Sequence, residues 1–485
     1  MGPVALHRGA LLGAGMTFDS LTFALFIVTL WALVGVTRGW RARKLELLAA
    51  SYLFYAAWNP VFIWLLVVST VVDWHAARRL AATDNPHGRK AWLLLSVLVN
   101  LGLLSWFKYA DFFIANFNQL TAWAGLPGFQ APLIDVVLPI GISFYTFQTL
   151  SYTFDVYRRR IQPGNDFADY ALYVSFFPQL VAGPIVRYEQ FAGQLASPRP
   201  MTAANLEVGA ALMVAGLFLK TVLADSVFAP VVDAGFSAVD GIGTLSAWSS
   251  ILSFSGQIYC DFAGYSLCAI GAARIFGFVL PKNFHAPYAA LGFSDFWRRW
   301  HITLSTWIRD YLYITLGGNR HGRARTLGNL VIAMGLGGLW HGAAWTFVLW
   351  GLAHGLWLVI EHALRPLAGR SALLAHRAMA PLYMAVTFVV VTLTWVLFRA
   401  ENLAQAGSFY AALLSVSGSK MSTAAWLALA TMAGLLAWHA AIRRVEIELV
   451  YDRLAWPLRG IVMGLLLAAV LTSPGESRAF IYFQF

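Results

Sequence analysis

Of 485 residues, 59% are hydrophobic and 12% charged, whereas soluble domains run at roughly 45–50% and about 25%. No core in water absorbs that much apolar surface, so a soluble globular protein is excluded and a bilayer is the expected solvent. The net charge of +11 lies in short runs between apolar segments: Arg38/Arg41/Arg43/Lys44, Arg78/Arg79/Arg89/Lys90, Arg158–Arg160, Arg320/Arg323/Arg325 and Arg443/Arg444. That is the distribution of cytoplasmic loops, not of a nucleic-acid surface.

Residues 1–15 read as a non-essential extension, with Met16-Thr17-Phe18-Asp19 standing just before the first apolar run. One arginine and a weak apolar stretch do not make a cleaved signal peptide. Apolar runs follow at Leu21–Val36, Leu47–Val72 (broken at Asn59-Pro60), Ala91–Phe107, Leu133–Leu150, Tyr170–Val186, Val208–Phe228 and Trp248–Gly271. After a polar interval come Leu327–Ile360, Pro381–Phe398, Ala424–Ile442 and Ile461–Thr472. Measured against the hydrocarbon thickness, these predict an all-α polytopic membrane protein with roughly 11–12 transmembrane helices, some short or interrupted. With no internal repeat, low-complexity tract or long linker, residues 16–485 read as a single membrane domain. Cys260 and Cys268 share one apolar segment without metal or redox spacing, and read as small buried hydrophobes.

The most polar interval, 281–325, carries an amphipathic helix around Asp295–Tyr313 with Trp297, Trp300, Trp307 and several arginines. Aromatic and basic residues together suit the membrane interface on the cytoplasmic side. The next stretch, Leu327–Ile360, is 34 residues without Asp, Glu, Lys or Arg. A single helix of that length would reach about 51 Å, while hydrocarbon is only about 30 Å thick. Its glycines surround His341, so either two crossings meet there or a segment dips in and turns. Both place His341 at a helix break deep in the membrane, where broken backbone is tolerated only inside protein or beside a cavity.

An ionisable side chain within the membrane is a functional candidate by default. A histidine with an ordinary pKa of about 6.5 suits a general base that takes a hydroxyl proton as the oxygen attacks an acyl carbonyl. His341 is therefore the first candidate, and His301 on the amphipathic helix the second. No metal site is expected, since His341, His354 and His362 form no i, i+4 pair and have no cysteine partner. A Gly-x-Ser-x-Gly element is absent as well. Gly317-Gly318-Asn319-Arg320, with Arg323 and Arg325, offers amides and guanidinium forks that could hold donor phosphates, or else only a tight topogenic turn.

Phe296-Trp297-Arg298-Arg299-Trp300-His301-Ile302-Thr303-Leu304-Ser305-Thr306-Trp307, continued by Arg309-Asp310-Tyr311-Leu312-Tyr313 and by Gly338-Leu339-Trp340-His341-Gly342, resembles the distinctive motif of the membrane-bound O-acyltransferase (MBOAT) family. The likeness is to its bacterial polysaccharide-modifying branch, which includes alginate O-acetyltransferases. Gln257–Ser266 and Pro178–Pro184 match too, although Leu267 follows Ser266 as in teichoic-acid D-alanyl transferases. The resemblance implies an MBOAT fold of many helices, with interfacial and re-entrant segments, around a central funnel or tunnel. It implies His341 as catalytic histidine and His301 as a second one where lipid-modifying relatives usually carry asparagine; by their own chemistry Arg298, Arg309, Asn319 and Arg320 are candidates for donor binding. Acetyl-CoA would be the cytoplasmic acyl donor, an exported alginate-like polysaccharide the acceptor, and an extracytoplasmic SGNH or esterase-like acetyltransferase the partner. The setting would be the lipid bilayer of the bacterial inner membrane. Peptidoglycan, cellulose or teichoic-acid acylation is the alternative within the family. A small-solute transporter or flippase is the rival outside it, but such a protein should show paired interrupted spans and only one is conspicuous.

Arg443, Arg444, Arg453 and Arg459 before the last span place 473–485 outside the cell. A tail ending Phe480-Ile481-Tyr482-Phe483-Gln484-Phe485 should bury itself rather than float in water. Phe480-x-Tyr482-x-x-Phe485 is similar to the terminal motif of the small partner protein in teichoic-acid D-alanylation, which makes Tyr482 a candidate acyl carrier.

Overall fold

The computed structural model describes residues 16–181, 183–239, 241–371, 376–416, 418, 421–446, 450–451, 453–473 and 478–481. The extension 1–15 and Tyr482 lie outside the described residues. Among those described there are helices and loops but no strand. Six helices among the described residues are long and apolar enough to cross a membrane: Pro60–Ala82, Pro86–Trp123, Ala203–Ser237, Trp345–Pro366, Arg377–Arg399 and Thr423–Ile442. Shorter apolar helices occupy Leu21–Val36, Leu403–Leu414 and Trp456–Thr472. The chain is an all-α polytopic membrane protein. Some apolar runs are not single helices: Leu133–Leu150 is irregular until a helix starts at Ile142, and Tyr170–Val186 breaks at Phe176.

The chain divides into two compact units, the first comprising residues up to Ala210 with Ala269–Pro281. In it α1 (Leu21–Val36) starts where the Ser20 hydroxyl accepts the Phe23 N–H, and α2 (Ile63–Ala82), α3 (Pro86–Leu104) and α4 (Ile142–Tyr157) follow. A buried polar cluster ties the last three together. Asn100 on α3 donates to both oxygens of Asp73 on α2 at 3.0 and 2.8 Å, and Thr149 on α4 donates to Asn100 at 3.1 Å. Burying a carboxylate is tolerable only with such donors around it. Arg89 closes the unit's helix ends by donating to the Tyr157 carbonyl at the C-terminus of α4 at 2.8 Å.

The second unit comprises Ala211–Cys268 and the residues from Lys282 on. Its helices include α5 (Thr244–Ile275, the part up to Cys268), α6 (Phe293–Trp297), α7 (Ile302–Trp307), α8 (Arg323–His341), α9 (Trp345–Arg370), α10 (Ala380–Arg399) and α11 (Thr423–Ile442). The charge-free run Leu327–Ile360 is two helices, not one. α8 ends at His341, Gly342 is extended (φ −161°, ψ 149°), and α9 begins at Trp345. The two pack backbone to backbone, since a Cβ on Gly338 would stand 2.2 Å from the Phe347 carbonyl oxygen and one on Gly351 2.3 Å from that of Met334. Small residues allow this approach where apolar side chains would hold helices apart.

The amphipathic helix expected over Asp295–Tyr313 is not continuous. It stops after α6, passes through His301 in the left-handed region (φ 42°), and resumes as α7 before a π-helical turn at Ile308–Tyr313. The reason lies upstream. The 283–285 segment runs beside residues 299–302, with the His285 N–H donating to the Arg299 carbonyl at 3.0 Å and the Ile302 N–H to the Asn283 carbonyl at 2.9 Å. Those long-range bonds replace helical ones. Asp295 anchors the entry to α6: it accepts the Leu291 N–H at 3.0 Å and pairs with Arg299 and Arg443, each at 3.0 Å. Burial alone would raise the Asp295 carboxyl, but these partners hold it below the usual carboxylate range.

Candidate active site

His341 ends α8, buried at 3% exposure. Its imidazole meets Trp340 (5.0 Å between centroids), Trp350 of α9 (5.1 Å, 89°) and Phe398 of α10 (5.4 Å). The hairpin break puts the histidine at a helix terminus, and three elements wall it with aromatic rings. A general base needs such a water-poor setting for its proton transfer to stay with the substrate.

His301 is fully buried. Its Nδ1 lies 3.1 Å from Asn283 Oδ1, which also accepts the Thr303 N–H at 3.3 Å and the Thr303 hydroxyl at 2.9 Å. A backbone N–H can only donate, so the Asn283 atom facing it is oxygen, and His301 must donate from Nδ1. That leaves the lone pair on Nε2. Burial pushes the ring down to about 3, so it stays neutral near pH 7 and can act as a hydrogen-bond acceptor. His301 and His341 flank one indole, with Trp340 at 6.1 Å from the former and 5.0 Å from the latter.

The described end of the tail reaches the same region. Phe480 is 2% and Ile481 5% exposed, as expected of a tail that buries itself. Phe480 meets Phe262 at 5.7 Å, and Phe262 meets His301 edge-on at 4.6 Å.

The candidate donor residues separate. A cavity of about 350 Å³ is lined by Trp297, Arg309, Asn319, Glu361 and Arg365 among others. Arg309 pairs with Asp310 at 2.7 Å and remains 60% exposed. Arg298 and Arg320 do not line this cavity; Arg298 sits on the surface 3.7 Å from Asp295. The glycine turn also differs from an anion nest. The Gly317, Gly318 and Arg320 N–H groups donate to the carbonyls of Ile314, Tyr313 and Gly317, so they are turned inward.

Sequence reasoning missed Asn283, Trp350, Glu361 and Arg365. Glu361 accepts the Ser294 N–H at 3.0 Å, across the spot that a Cβ at Gly292 (φ 143°) would crowd. His354, considered above only as a metal ligand, is fully buried with Nε2 2.9 Å from the Thr394 hydroxyl. That hydroxyl donates to the Val391 carbonyl, so His354 is the donor in the pair. The one available signal for Glu361 and Arg365 was their position just past the charge-free run.

The site is thus two buried histidines around one indole, one of them at a helix break. The pattern of the membrane-bound O-acyltransferase family (MBOAT) matches residues 98–403, and the chain belongs to that family. A probable alginate O-acetylase of Azotobacter vinelandii is 41% identical over 401 residues, covering 82% of this chain and 78% of the relative. A probable alginate O-acetylase of Pseudomonas aeruginosa is 41% identical over 408 residues, covering 84% and 76%. A peptidoglycan O-acetyltransferase of Helicobacter pylori is 38% identical over 401 residues, covering 77% and 74%. The protein is an acyltransferase.

Proposed function

We propose that the chain takes acetyl from acetyl-CoA on the cytoplasmic side of the bacterial inner membrane and passes it outward for O-acetylation of an exported, alginate-like polysaccharide. One observation carries this reading: an unbroken series of ring contacts, Phe480–Phe262–His301–Trp340–His341, joins the C-terminal segment to both histidines. The similarity to alginate O-acetylases supports the acceptor class. The cavity, with the Arg309 and Arg365 guanidinium groups among its walls, suits the phosphates of the donor.

In the proposed chemistry His341 removes the phenolic proton of Tyr482 as the phenol oxygen attacks the thioester carbonyl. The carbon–sulfur bond breaks, and the leaving thiolate takes the proton back from the imidazolium. The acetyl then rests on the tyrosine as an aryl ester. A phenol of pKa about 10 leaves far more readily than a sugar alcohol, so this ester is a competent onward donor. An extracytoplasmic SGNH or esterase-like acetyltransferase would accept it, restoring the phenol. His301, neutral and oriented by Asn283, would accept a hydrogen bond at its Nε2 within the site.

The test is incubation of the purified protein with radiolabelled acetyl-CoA. Wild type should become labelled and Tyr482→Phe should not, while both accumulate to equal level. Full polymer acetylation by Tyr482→Phe in cells would refute the carrier role. Because one relative is a peptidoglycan O-acetyltransferase, recovery of label on peptidoglycan instead would reassign the acceptor.

A further inference from the structure

The π-helical stretch Phe218–Phe228 lies inside the apolar helix Ala203–Ser237 and carries two charges that the proposed chemistry does not use. In a π-helix, i→i+5 bonding brings residues five apart onto one face. Lys220 and Asp225 are five apart and meet at 2.9 Å. Lys220 also pairs with Asp261 of α5 at 2.6 Å, and all three side chains are under 10% exposed. A buried ion pair contributes little net stability over apolar packing, and one cation against two carboxylates leaves excess negative charge to be met by donors. Such clusters are best attested as devices that fix register.

The other Asp261 oxygen accepts the Ile481 N–H at 2.8 Å. One helical turn along α5, the Tyr265 ring stacks on Phe480 at 4.5 Å and 28°. Two residues four apart on one helix face thus hold two consecutive tail residues, one by its amide and one by its ring. Arg478 is ion-paired to Asp233, which Arg399 also holds at 3.0 Å. Upstream, the Ser473 hydroxyl meets Ser226 at 2.7 Å. The attachment therefore runs to the residue that precedes Tyr482.

We infer that the Lys220–Asp225–Asp261 cluster is the seat of the C-terminal segment, and that Asp261 is a positioning residue for acyl transfer through the Ile481 amide. The positioning role rests on the reading that the tail takes part in transfer. Asp261 is held in orientation by the Lys220 ammonium, which is fixed in turn by Asp225. The carboxylate oxygen thereby offered to the tail fixes the position of the Ile481 amide.

The experiment uses the full chain in detergent. Ile481→Ala and Ile481→Pro both lose the side chain, but only proline loses the N–H. Acetyl transfer from labelled acetyl-CoA should fall about threefold in the alanine variant and about tenfold or more in the proline variant, the size expected for losing a hydrogen bond to a buried charge. Asp261→Asn keeps the shape and removes the charge. Carboxypeptidase digestion followed by intact mass should stop before Ile481 in wild type and run past Phe480 in Asp261→Asn. Equal loss in the alanine and proline variants would overturn the inference, and so would unchanged digestion of Asp261→Asn. If Ile481→Pro loses transfer and Asp261→Asn loosens the tail while Tyr482→Phe stays active, the seat stands and the carrier role falls. Ile481→Pro leaves the buried cluster untouched, so the comparison holds even if Asp261→Asn fails to fold.

Discussion

Asn283 offers the most direct test of how the site is held. Its Oδ1 accepts from the His301 ring, the Thr303 N–H and the Thr303 hydroxyl, and all three residues are buried. In Asn283→Ala the hydroxyl can rotate toward another acceptor, but the backbone N–H and the ring N–H are fixed. Each stranded donor costs about 1–3 kcal/mol, so the variant should lose about 2–6 kcal/mol of stability. His301 would also lose the bond that fixes its tautomer, and turnover should fall with the melting temperature. Asn283→Asp separates the two effects. A carboxylate accepts the same bonds and restores the geometry, but its negative charge favours the imidazolium and should raise the His301 pKa by about 1–3 units from its depressed value. The imidazolium then persists to higher pH, so the acid limb of the kcat profile should move in the alkaline direction while the protein stays folded. Thermal melts of the purified protein and kcat against pH for acetyl transfer are the two measurements. An Asn283→Ala protein that melts and turns over like wild type would refute the reasoning, as would an Asn283→Asp profile that does not move.

Three further outcomes are expected. His341→Ala should abolish acyl transfer without changing the melting transition; wild-type polymer acetate in complemented cells would sink the assignment. His301→Ala and His301→Asn should both lower turnover strongly, asparagine less so, and equal activity of all three proteins would make His301 structural. The same pair tests linkage. Burial sets the folded pKa of His301 at about 3, below the unfolded value of about 6.5, so the folded state refuses a proton that the unfolded state binds. His301 should therefore lower stability as pH drops below about 6.5, by at most about 1.4 kcal/mol per pH unit, so His301→Asn should lose stability less steeply than wild type over that range; parallel melting curves would contradict it. Arg365→Ala should raise the KM for acetyl-CoA about fivefold or more with kcat retained, since a charged hydrogen bond to the donor is lost in ground and transition state alike. An unchanged KM would remove the cavity from the donor's path.

What could be read in advance depended on whether the cause was local. The break at His341 was legible because a charge-free run of 34 residues cannot cross hydrocarbon as one helix, and its glycines are those the hairpin needs for backbone contact. The break at His301 was not legible. Residues Asp295–Tyr313 have amphipathic spacing throughout, and the bonds that interrupt them come from Asn283 and His285. The Gly317-Gly318 turn left two readings open for a related reason: glycines permit the conformation of a nest, but whether the amides face out depends on which carbonyls lie behind them.

The Lys220–Asp225 pair stayed hidden because spacing of five is silent in an α-helix and informative only in a π-helical segment. Asp261 stood inside a motif shared with the family, yet nothing local says that its oxygen faces an amide 220 residues away. Both cases share one physical basis. A charge inside an apolar helix is costly, so its presence signals that something distant compensates it. The sequence marks such a residue as needing a partner, and only the folded chain shows that one partner is the backbone of the C-terminal segment. The buried charges of the second unit hold the C-terminal segment, while the buried carboxylate of the first unit, Asp73, ties helices together through neutral donors.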